Sequence, residues 1–413
     1  MLNHPPPPPR LGHSLLPALW ICPFRPFFLA TALSALVGMA LWLAVLAGWL
    51  PAPDTPGGPV LLHAHEMIFG FAAASIAGFL LTAVVEFTGC PPIGRPALRL
   101  LALIWLAGRL GWACSGVVGL IPAATADLGF MGLLLFHITG PLWRSPQRRH
   151  LSFFHSLLAL GICHAGFYTT QLRGQDALPW LHLATGMLMI LIVVALSRIS
   201  MRLVNDVLEA QGGMSTPYLA RPPRRNLAIF AIGLFSVSEF ARTSGSTTGW
   251  LALAAAAAVL NLLNDWHVGR ALFQRWVFIA YLVYWCMGLG YALIGVGLLG
   301  GQPWGSAGRH LLLAGALGLA SYIVMVVAGR MHSGWGLDPR PWVPAAALLI
   351  LLAALARSLA GLPAGSAHHP RLILIAGSLW LLAWGLYLAR SFPVLALPRP
   401  DGRQGCDDAV TKR

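Results

Sequence analysis

The chain has 413 residues, of which 57% are hydrophobic and only 10% are charged, and its mean hydropathy is +0.72. A soluble domain carries about 25% charged residues, so this composition excludes a soluble protein and indicates one embedded in a lipid bilayer. The formal charge of +14 does not indicate a nucleic-acid partner, because the basic residues separate the apolar runs and form no patch.

The N-terminal stretch 1–27 is rich in proline and lacks the layout of a secretory signal, so we predict a cytoplasmic tail there. A membrane-spanning helix needs roughly 20 mostly apolar residues. Twelve such runs follow in chain order: 28–50, 60–86, 98–120, 123–144, 150–171, 178–200, 226–241, 249–268, 276–299, 308–331, 342–361 and 371–392. The predicted fold is an all-α, polytopic bundle of about 12 transmembrane helices.

The positive-inside rule orients this bundle. With the N-terminus inside, most of the 27 Lys and Arg residues fall in cytoplasmic loops and tails, and both termini are cytoplasmic. We predict a cytoplasmic loop at 201–225, between two six-helix halves at 28–200 and 226–392. A second cytoplasmic tail follows at 393–413.

The second run opens with ionisable residues, in the sequence "LLHAHEMIFGF". Successive residues of a helix are turned by about 100°, so His63 and His65 point to nearly opposite sides and are expected to serve two different centres, unless His63 lies in a frayed first turn. Glu66 follows His63 by three residues and is expected on its face. There it would fix the tautomer of an imidazole, accept protons, or simply favour the helix N-terminus.

The predicted topology sorts the other ionisable residues into two layers. The periplasmic layer contains His63, His65, Glu66, Asp127, His164, His182, Glu239 and His310, and the cytoplasmic layer contains His137, His155, His267 and His332. A single intramembrane histidine is more often a hydrogen-bonded core residue than a ligand. Several from separate helices favour a bound metal or haem, because neutral imidazole is the commonest metal ligand.

Arg109 is the other buried charge, in "WLAGRLGW". An arginine within a span requires a partner, which would be Glu86, a haem propionate or a substrate anion. A recurring spacing also links three helices, in which His65 precedes Gly70, His182 precedes Gly186 and His310 precedes Gly315. This spacing is either an internal repeat or chance.

Three stretches closely resemble the start of NnrS proteins, which are polytopic bacterial membrane proteins associated with haem, copper and the nitric oxide response. They are "FRPFFLATALSALVGMALW" (24–42), "HAHEMIFGFAAASIAGFLLTAV" (63–84) and "TGCPPIGRPALRLLALIWLAGR" (88–109). Further along, "LHLATGMLMILIVVALSRIS" (181–200) and "GRHLLLAGALGLASYIVMVVAGRMHSG" (308–334) resemble two later His-to-Arg helices of the family.

The sequence departs from the family pattern at several positions. Ala280 and Tyr281 occupy a neighbourhood where the family commonly carries a histidine, and Phe87 stands where it usually has tryptophan. His332 is followed by Ser-Gly-Trp rather than Thr-Gly-Arg. If the missing histidine is a ligand in relatives, this protein holds one fewer metal or uses His137 or His155 instead.

The resemblance implies a protein of the bacterial inner membrane that contains haem b and copper and acts on nitric oxide, by reducing NO to N2O or by conferring resistance to NO. Electrons would come from quinol or another external donor. Metal ligands are expected among His63, His65, His164, His182, His310 and His332, with His65, His182, His310 and Arg109 binding the haem. Glu66 and Asp127 are the expected proton carriers. The alternatives are a twelve-helix transporter or metal exporter, and a non-catalytic haem-binding sensor or partner of a respiratory complex.

Overall fold

The computed structural model describes residues 18–146, 150–212 and 217–403, and within these ranges the chain is helical with no β-strand. The predicted all-α class is therefore confirmed. The long helices are α1 (Phe24–Leu46), α2 (Gly58–Thr88), α3 (Arg95–Ala113), α4 (Ile121–Arg144), α5 (Leu151–Leu172), α6 (Leu178–Ala210), α7 (Pro222–Phe240), α8 (Gly245–Asn261), α9 (Arg275–Leu299), α10 (Gly305–Met331), α11 (Trp342–Ala360) and α12 (His369–Ala396).

Ten of these helices are long and apolar enough to cross a membrane, which makes the chain a membrane protein. The other two, α3 and α7, have 19 residues each. Both contain several charged side chains, Arg95, Arg99 and Arg109 in α3 and Arg224 and Glu239 in α7, and these lower their hydropathy. The count of twelve spans and the orientation of the termini stay predictions.

Helix boundaries differ from the apolar runs where a helix extends beyond the bilayer. Helix α6 has 33 residues and continues through the first part of the predicted loop 201–225 to Ala210, because its amphiphilic end still packs on the protein through Leu203 and Leu208. Helix α12 likewise continues to Ala396, into the predicted tail. Residues 1–17, 213–216 and 404–413 of the predicted tails and loop lie outside the described ranges.

Helices α2, α6 and α10 form the centre of the bundle and contact one another. They are also deeply buried, α2 most of all. The remaining helices surround them, mostly by pairing with their neighbours in sequence, and α12 packs against α1 to complete the ring. The three central helices are evenly spaced in the chain, since every fourth helix, α2, α6 and α10, lies at the centre.

Two of the central helices contain a π-helical segment immediately after a histidine. In α2 the segment is Glu66–Ala72, which follows His65, and in α10 it is Leu311–Leu317, which follows His310. A π-helical turn is wider than an α-helical turn and is frequently found at functional sites. It changes which of the side chains after the segment share a face with those before it.

The glycines of the recurring histidine–glycine spacing lie at close helix–helix contacts. A Cβ atom at Gly70 would lie 2.9 Å from Arg109 Nη1 on α3, and one at Gly186 would lie 2.0 Å from Ser236 Oγ on α7. Small residues allow membrane helices to approach closely. The glycines of this spacing therefore lie where α2 packs closely against α3 and where α6 packs closely against α7, in each case the next helix in the chain.

Candidate metal centre

Five ionisable residues from four helices meet near one end of the bundle, the end predicted to be periplasmic. They are His65 and Glu66 of α2, Arg109 of α3, Asp127 of α4 and His164 of α5, and we call them the α2–α5 cluster. His65, Asp127 and His164 are almost fully buried, at 0, 2 and 2% exposure. Ionisable groups in such surroundings are costly unless they are paired or bind a ligand.

The two imidazoles of the cluster face each other through the same ring nitrogen. His65 Nε2 and His164 Nε2 are 3.1 Å apart, and Asp127 Oδ2 lies 3.7 Å from the first and 3.5 Å from the second. In a tetrahedral metal site with metal–nitrogen distances of about 2.0–2.1 Å, neighbouring ligand atoms are about 3.3 Å apart. The three side chains, whose ligand atoms lie within 4.8 Å of one another, have the spacing that one metal ion requires.

Glu66 sets the protonation of the first imidazole. Its Oε1 lies 3.1 Å from His65 Nδ1, so Nδ1–H donates to the carboxylate and the lone pair of His65 remains on Nε2, the atom that faces His164. A carboxylate in this position is a common partner of a metal-ligating histidine. Glu66 was expected on the face of His63; in the structure its carboxylate contacts His65 and Arg109, while His63 stacks on Trp42 of α1.

Asp127 is held in place by two direct hydrogen bonds, one of which a third residue supports. Arg109 Nη2 donates to its Oδ1 at 2.5 Å, and the Tyr168 hydroxyl donates to its Oδ2 at 2.6 Å. Trp112 Nε1 in turn donates to the Tyr168 hydroxyl at 2.6 Å. A carboxylate oxygen has two lone pairs, so Oδ2 can accept from Tyr168 and still bind a metal ion.

Arg109 bridges the two carboxylates of the cluster. Besides Asp127 it contacts Glu66 Oε2, 3.5 Å from its Nε. Its partners are therefore Asp127 and Glu66, and not Glu86, which was one of the expected partners. With neutral imidazoles, one guanidinium and two carboxylates leave the cluster with a net charge of about −1, which favours a bound cation.

Glycines on two helices make room for these charges. A Cβ at Gly70 would also lie 3.1 Å from Glu66 Oε2, and one at Gly108 would lie 2.0 Å from Asp127 Oδ1. The carbonyl of Gly70 accepts a hydrogen bond of 3.1 Å from Trp105 Nε1, which fixes α3 against α2. The absence of a side chain at these two positions leaves space for the charged groups to meet, most tightly at Gly108.

Aromatic rings pack directly on both imidazoles. Phe69 stacks on His164 with ring centroids 3.6 Å apart, and Trp112 and Phe167 lie 4.6 and 4.9 Å from His65. These contacts keep water from the ligand atoms. They also leave room for a single ion between the imidazoles but none for a haem macrocycle, so this cluster does not fit haem.

The remaining predicted ligands lie elsewhere in the bundle. His63 stacks on Trp42 of α1 at 4.6 Å, away from His65, as their opposite directions on the helix predict. His310 Nδ1 donates to the Ser306 carbonyl at 2.7 Å, and Arg357 donates to the Ser306 hydroxyl at 3.3 Å.

His182 and His332 are also separate from the α2–α5 cluster. His182 lies on α6 within electrostatic reach of Arg309, which forms an ion pair with Glu239. His332 follows α10 at the opposite end of the bundle, where its Nε2 is 3.5 Å from Glu86 Oε1. Of the six histidines expected to bind metal, His65 and His164 bring their ring nitrogens to a common centre. His63 and His310 lie within electrostatic reach of each other at another place in the bundle.

Sequence reasoning missed the residues that orient the cluster. Tyr168 follows His164 by four residues, which places both on one face of α5, and Trp112 follows Arg109 by three residues on α3. This i, i+3 or i, i+4 spacing was a usable signal. Neither spacing, however, indicates that the two helices face each other.

A sequence profile of the NnrS protein family matches residues 18–399, nearly the whole chain. The chain belongs to the NnrS family. The resemblance found at the start of the sequence is thus confirmed over both the α2–α5 cluster and the rest of the bundle. No curated protein matches the chain at a significant level. Membership of the NnrS family suggests a role linked to the nitric oxide response.

Proposed function

We propose that this NnrS-family protein binds a redox-active metal ion, copper, at the α2–α5 cluster and uses it to act on nitric oxide. The observation that carries the proposal is the convergence of His65 Nε2, His164 Nε2 and an Asp127 carboxylate oxygen in a buried site. The proposal is also supported by the membership of the whole chain in the NnrS family, which suggests a role linked to the nitric oxide response.

The ligand set narrows the choice of metal. Two imidazoles and a carboxylate suit copper, zinc or non-haem iron and do not suit the all-oxygen coordination of magnesium or calcium. Among the divalent metal ions of the first transition row, Cu²⁺ binds nitrogen and oxygen ligands most tightly. Since the NnrS resemblance also implies copper, we propose copper at this site.

A bound copper ion would supply a redox-active binding position for NO. Reduction of two NO molecules to N2O and water consumes two electrons and two protons. Glu66 is suited to bring the protons, because its side chain is 22% exposed while its Oε1 contacts the fully buried His65. Asp127 is less suited to carrying protons, because Arg109 and Tyr168 hold both of its oxygens in a fixed position.

Haem b stays a prediction that the α2–α5 cluster does not support, since aromatic rings fill the space around its imidazoles. The electron donor, quinol or another external reductant, is likewise a prediction. For the location we propose the bacterial inner membrane, with the α2–α5 cluster toward the periplasm, on the basis of the basic residues in the predicted cytoplasmic loops.

The test begins with the protein purified in detergent. Metal analysis and an optical spectrum should find about one copper per chain, and a NO electrode should record consumption of NO with an artificial reductant. The His65→Gln variant should lose the copper. The matched control is His155→Gln, since His155 is exposed on the same helix as His164. Wild-type protein without copper, or loss of copper in the control alone, would refute the proposed site.

A metal exporter is the second candidate function. One observation favours it, namely that a cavity lies at the opposite end of the central helices from the cluster, as expected for a carrier open to one side. In that case the metal ion would be cargo. Sealed vesicles containing the protein would then show metal flux that the His65→Gln variant abolishes, and they would not consume NO.

A further inference from the structure

A cavity of about 540 Å³ lies at the end of the bundle opposite to the α2–α5 cluster. Helices α2, α6 and α10, the three central helices, all contribute to its walls, and the first turns of α1 and α9 close it. Pockets for small organic ligands have volumes of about 300–1,000 Å³. The cavity has the size of a ligand site and lies at the predicted cytoplasmic face.

Most of the wall is apolar and aromatic. Phe24, Phe28, Phe79, Phe87 and Trp276 line it, together with aliphatic residues of α6 and α10. Aromatic side chains pack favourably against another ring in offset or edge-to-face geometry. The wall therefore suits a planar ring that carries apolar substituents.

One corner of the cavity is polar. His332 Nε2 lies 3.5 Å from Glu86 Oε1, and Arg202 Nη1 lies 3.9 Å from the same oxygen. Glu86 accepts hydrogen bonds, Arg202 donates them, and a histidine does either according to its tautomer. A ligand with a polar oxygen at this corner would find both a donor and an acceptor.

The charges of the cavity balance one another. Arg198 and Arg202 line it together with Glu86 and Asp206, so the wall has no net charge when His332 is neutral. An anionic ligand would have to compete with these carboxylates. A haem is also disfavoured, because His332 Nε2 lies 3.5 Å from Glu86 Oε1 and so has a carboxylate as its partner. The ligand that fits is neutral and amphipathic.

We propose that this cavity binds a membrane para-quinone and its quinol. The ring would pack among the phenylalanines, one ring oxygen would bond at the Glu86–His332 corner, and the apolar tail would leave between the helices into the bilayer. The biological reason for such a site, supply of reducing equivalents, rests on the proposed function, but binding itself does not.

The test uses the detergent-purified full chain and decyl-ubiquinone, with calorimetric titration in the absence of NO. We expect saturable binding that Val327→Trp abolishes, because Val327 lines the cavity. The control Val296→Trp places the same bulk on the exposed face of α9, where Val296 is 47% exposed. Binding that both variants leave intact would overturn the proposal.

The polar corner allows a sharper test that does not depend on the folding of a tryptophan variant. A quinol hydroxyl donates to a carboxylate, whereas a quinone oxygen only accepts. Glu86→Gln should therefore weaken binding of the reduced form about tenfold and change binding of the oxidised form by less than about threefold. The control Glu209→Gln, at an exposed position of α6 outside the cavity, should change neither.

Two further results are decisive. Equal effects of Glu86→Gln on both redox forms, or a haem whose spectrum changes in His332→Leu in place of quinone binding, would overturn the quinone site. Consumption of NO with an artificial reductant bypasses this cavity and is measured separately. Failure of the quinone site is thus distinguishable from failure of the metal centre.

Discussion

Replacing Asp127 by asparagine removes one negative charge from the α2–α5 cluster while preserving the shape of the side chain. Arg109, 10% exposed, would lose the carboxylate at 2.5 Å and retain Glu66 at 3.5 Å. Breaking a buried ion pair from one side costs about 3–5 kcal/mol, because the remaining charge is uncompensated. Since Glu66 still compensates Arg109 in part, we expect the lower end, a loss of about 3 kcal/mol in the free energy of unfolding.

The same substitution should weaken metal binding. The net charge of the cluster changes from −1 to zero, and an anionic ligand becomes a neutral amide. Loss of a partner outside the coordination shell alone lowers metal affinity by about 10–100-fold, so loss of a ligand charge should lower it by more than about a hundredfold. Reversible denaturant unfolding in detergent measures the first effect, and titration with Cu²⁺ in a competing chelator measures the second.

A matched control is Asp176→Asn. Asp176 lies in the exposed loop before α6 and accepts a hydrogen bond from the Leu178 backbone amide, which asparagine can also accept, so both quantities should stay at wild-type values. If Asp127→Asn behaves like this control in unfolding and in Cu²⁺ titration, Asp127 is neither the partner of Arg109 nor a metal ligand, and the reasoning from the geometry of the cluster is refuted.

Three other changes test separate parts of the structure. Gly70→Ala should displace Arg109 from Glu66 and lower the affinity for Cu²⁺. The control Gly132→Ala, with open space around the added methyl, should leave that affinity unchanged, and titration with Cu²⁺ measures the affinity of both variants. His63→Ala should leave Cu²⁺ affinity unchanged, and a loss comparable to that of His65→Gln would show that the two histidines share a centre. Hydrogen bonds from Arg340 and Trp342 outweigh burial and hold the pKa of Asp338 below its usual range, so its stabilising effect is present at neutral pH and disappears in acid. Asp338→Asn should therefore cost about 3 kcal/mol at pH 7, and the difference from wild type should shrink below about pH 4; a constant difference across that range would contradict the assignment.

Much of the fold was predictable because membrane helices have a simple sequence signature. The apolar runs locate the helices, and the 100° rotation per residue correctly separates His63 from His65. The π segment that begins at Glu66 was not predicted, because it has no composition signature that distinguishes it from the surrounding α-helix. Nor does the sequence of α2 alone show that Glu66 contacts Arg109 of α3.

The lateral arrangement of the helices limited prediction of the site. Depth within the bilayer follows from position in the chain, and it predicted one layer for His65, Asp127, His164, His182 and His310, of which the structure brings the first three together. Which members of that layer meet depends on which helices are neighbours. Which helices are neighbours is decided by side-chain packing between helices, such as the contact of Gly108 with Asp127. The periodicity within one helix does not predict these contacts.

A comparison of the three central helices explains why, in the part of the chain that the structure describes, only the histidine of α2 belongs to a group with the composition of a metal centre. Each carries the histidine–glycine spacing, and the glycines of α2 and α6 receive the next helix in the chain. The residue after the histidine differs, however: it is Glu66 in α2 but Leu183 in α6 and Leu311 in α10.

A carboxylate directly after the histidine fixes the tautomer of His65 and supplies part of the negative charge that attracts a cation. His310, by contrast, donates to a backbone carbonyl and has Arg357 nearby, which disfavours a cation. If the three helices are copies of one ancestral unit, the metal centre arose in the first copy through Glu66 and its neighbours. Introducing glutamate at Leu311 should then raise the affinity of the α10 site for Cu²⁺, which titration of Leu311→Glu in a His65→Gln background would detect, whereas Leu313→Glu, on another face of the same helix, should have no effect.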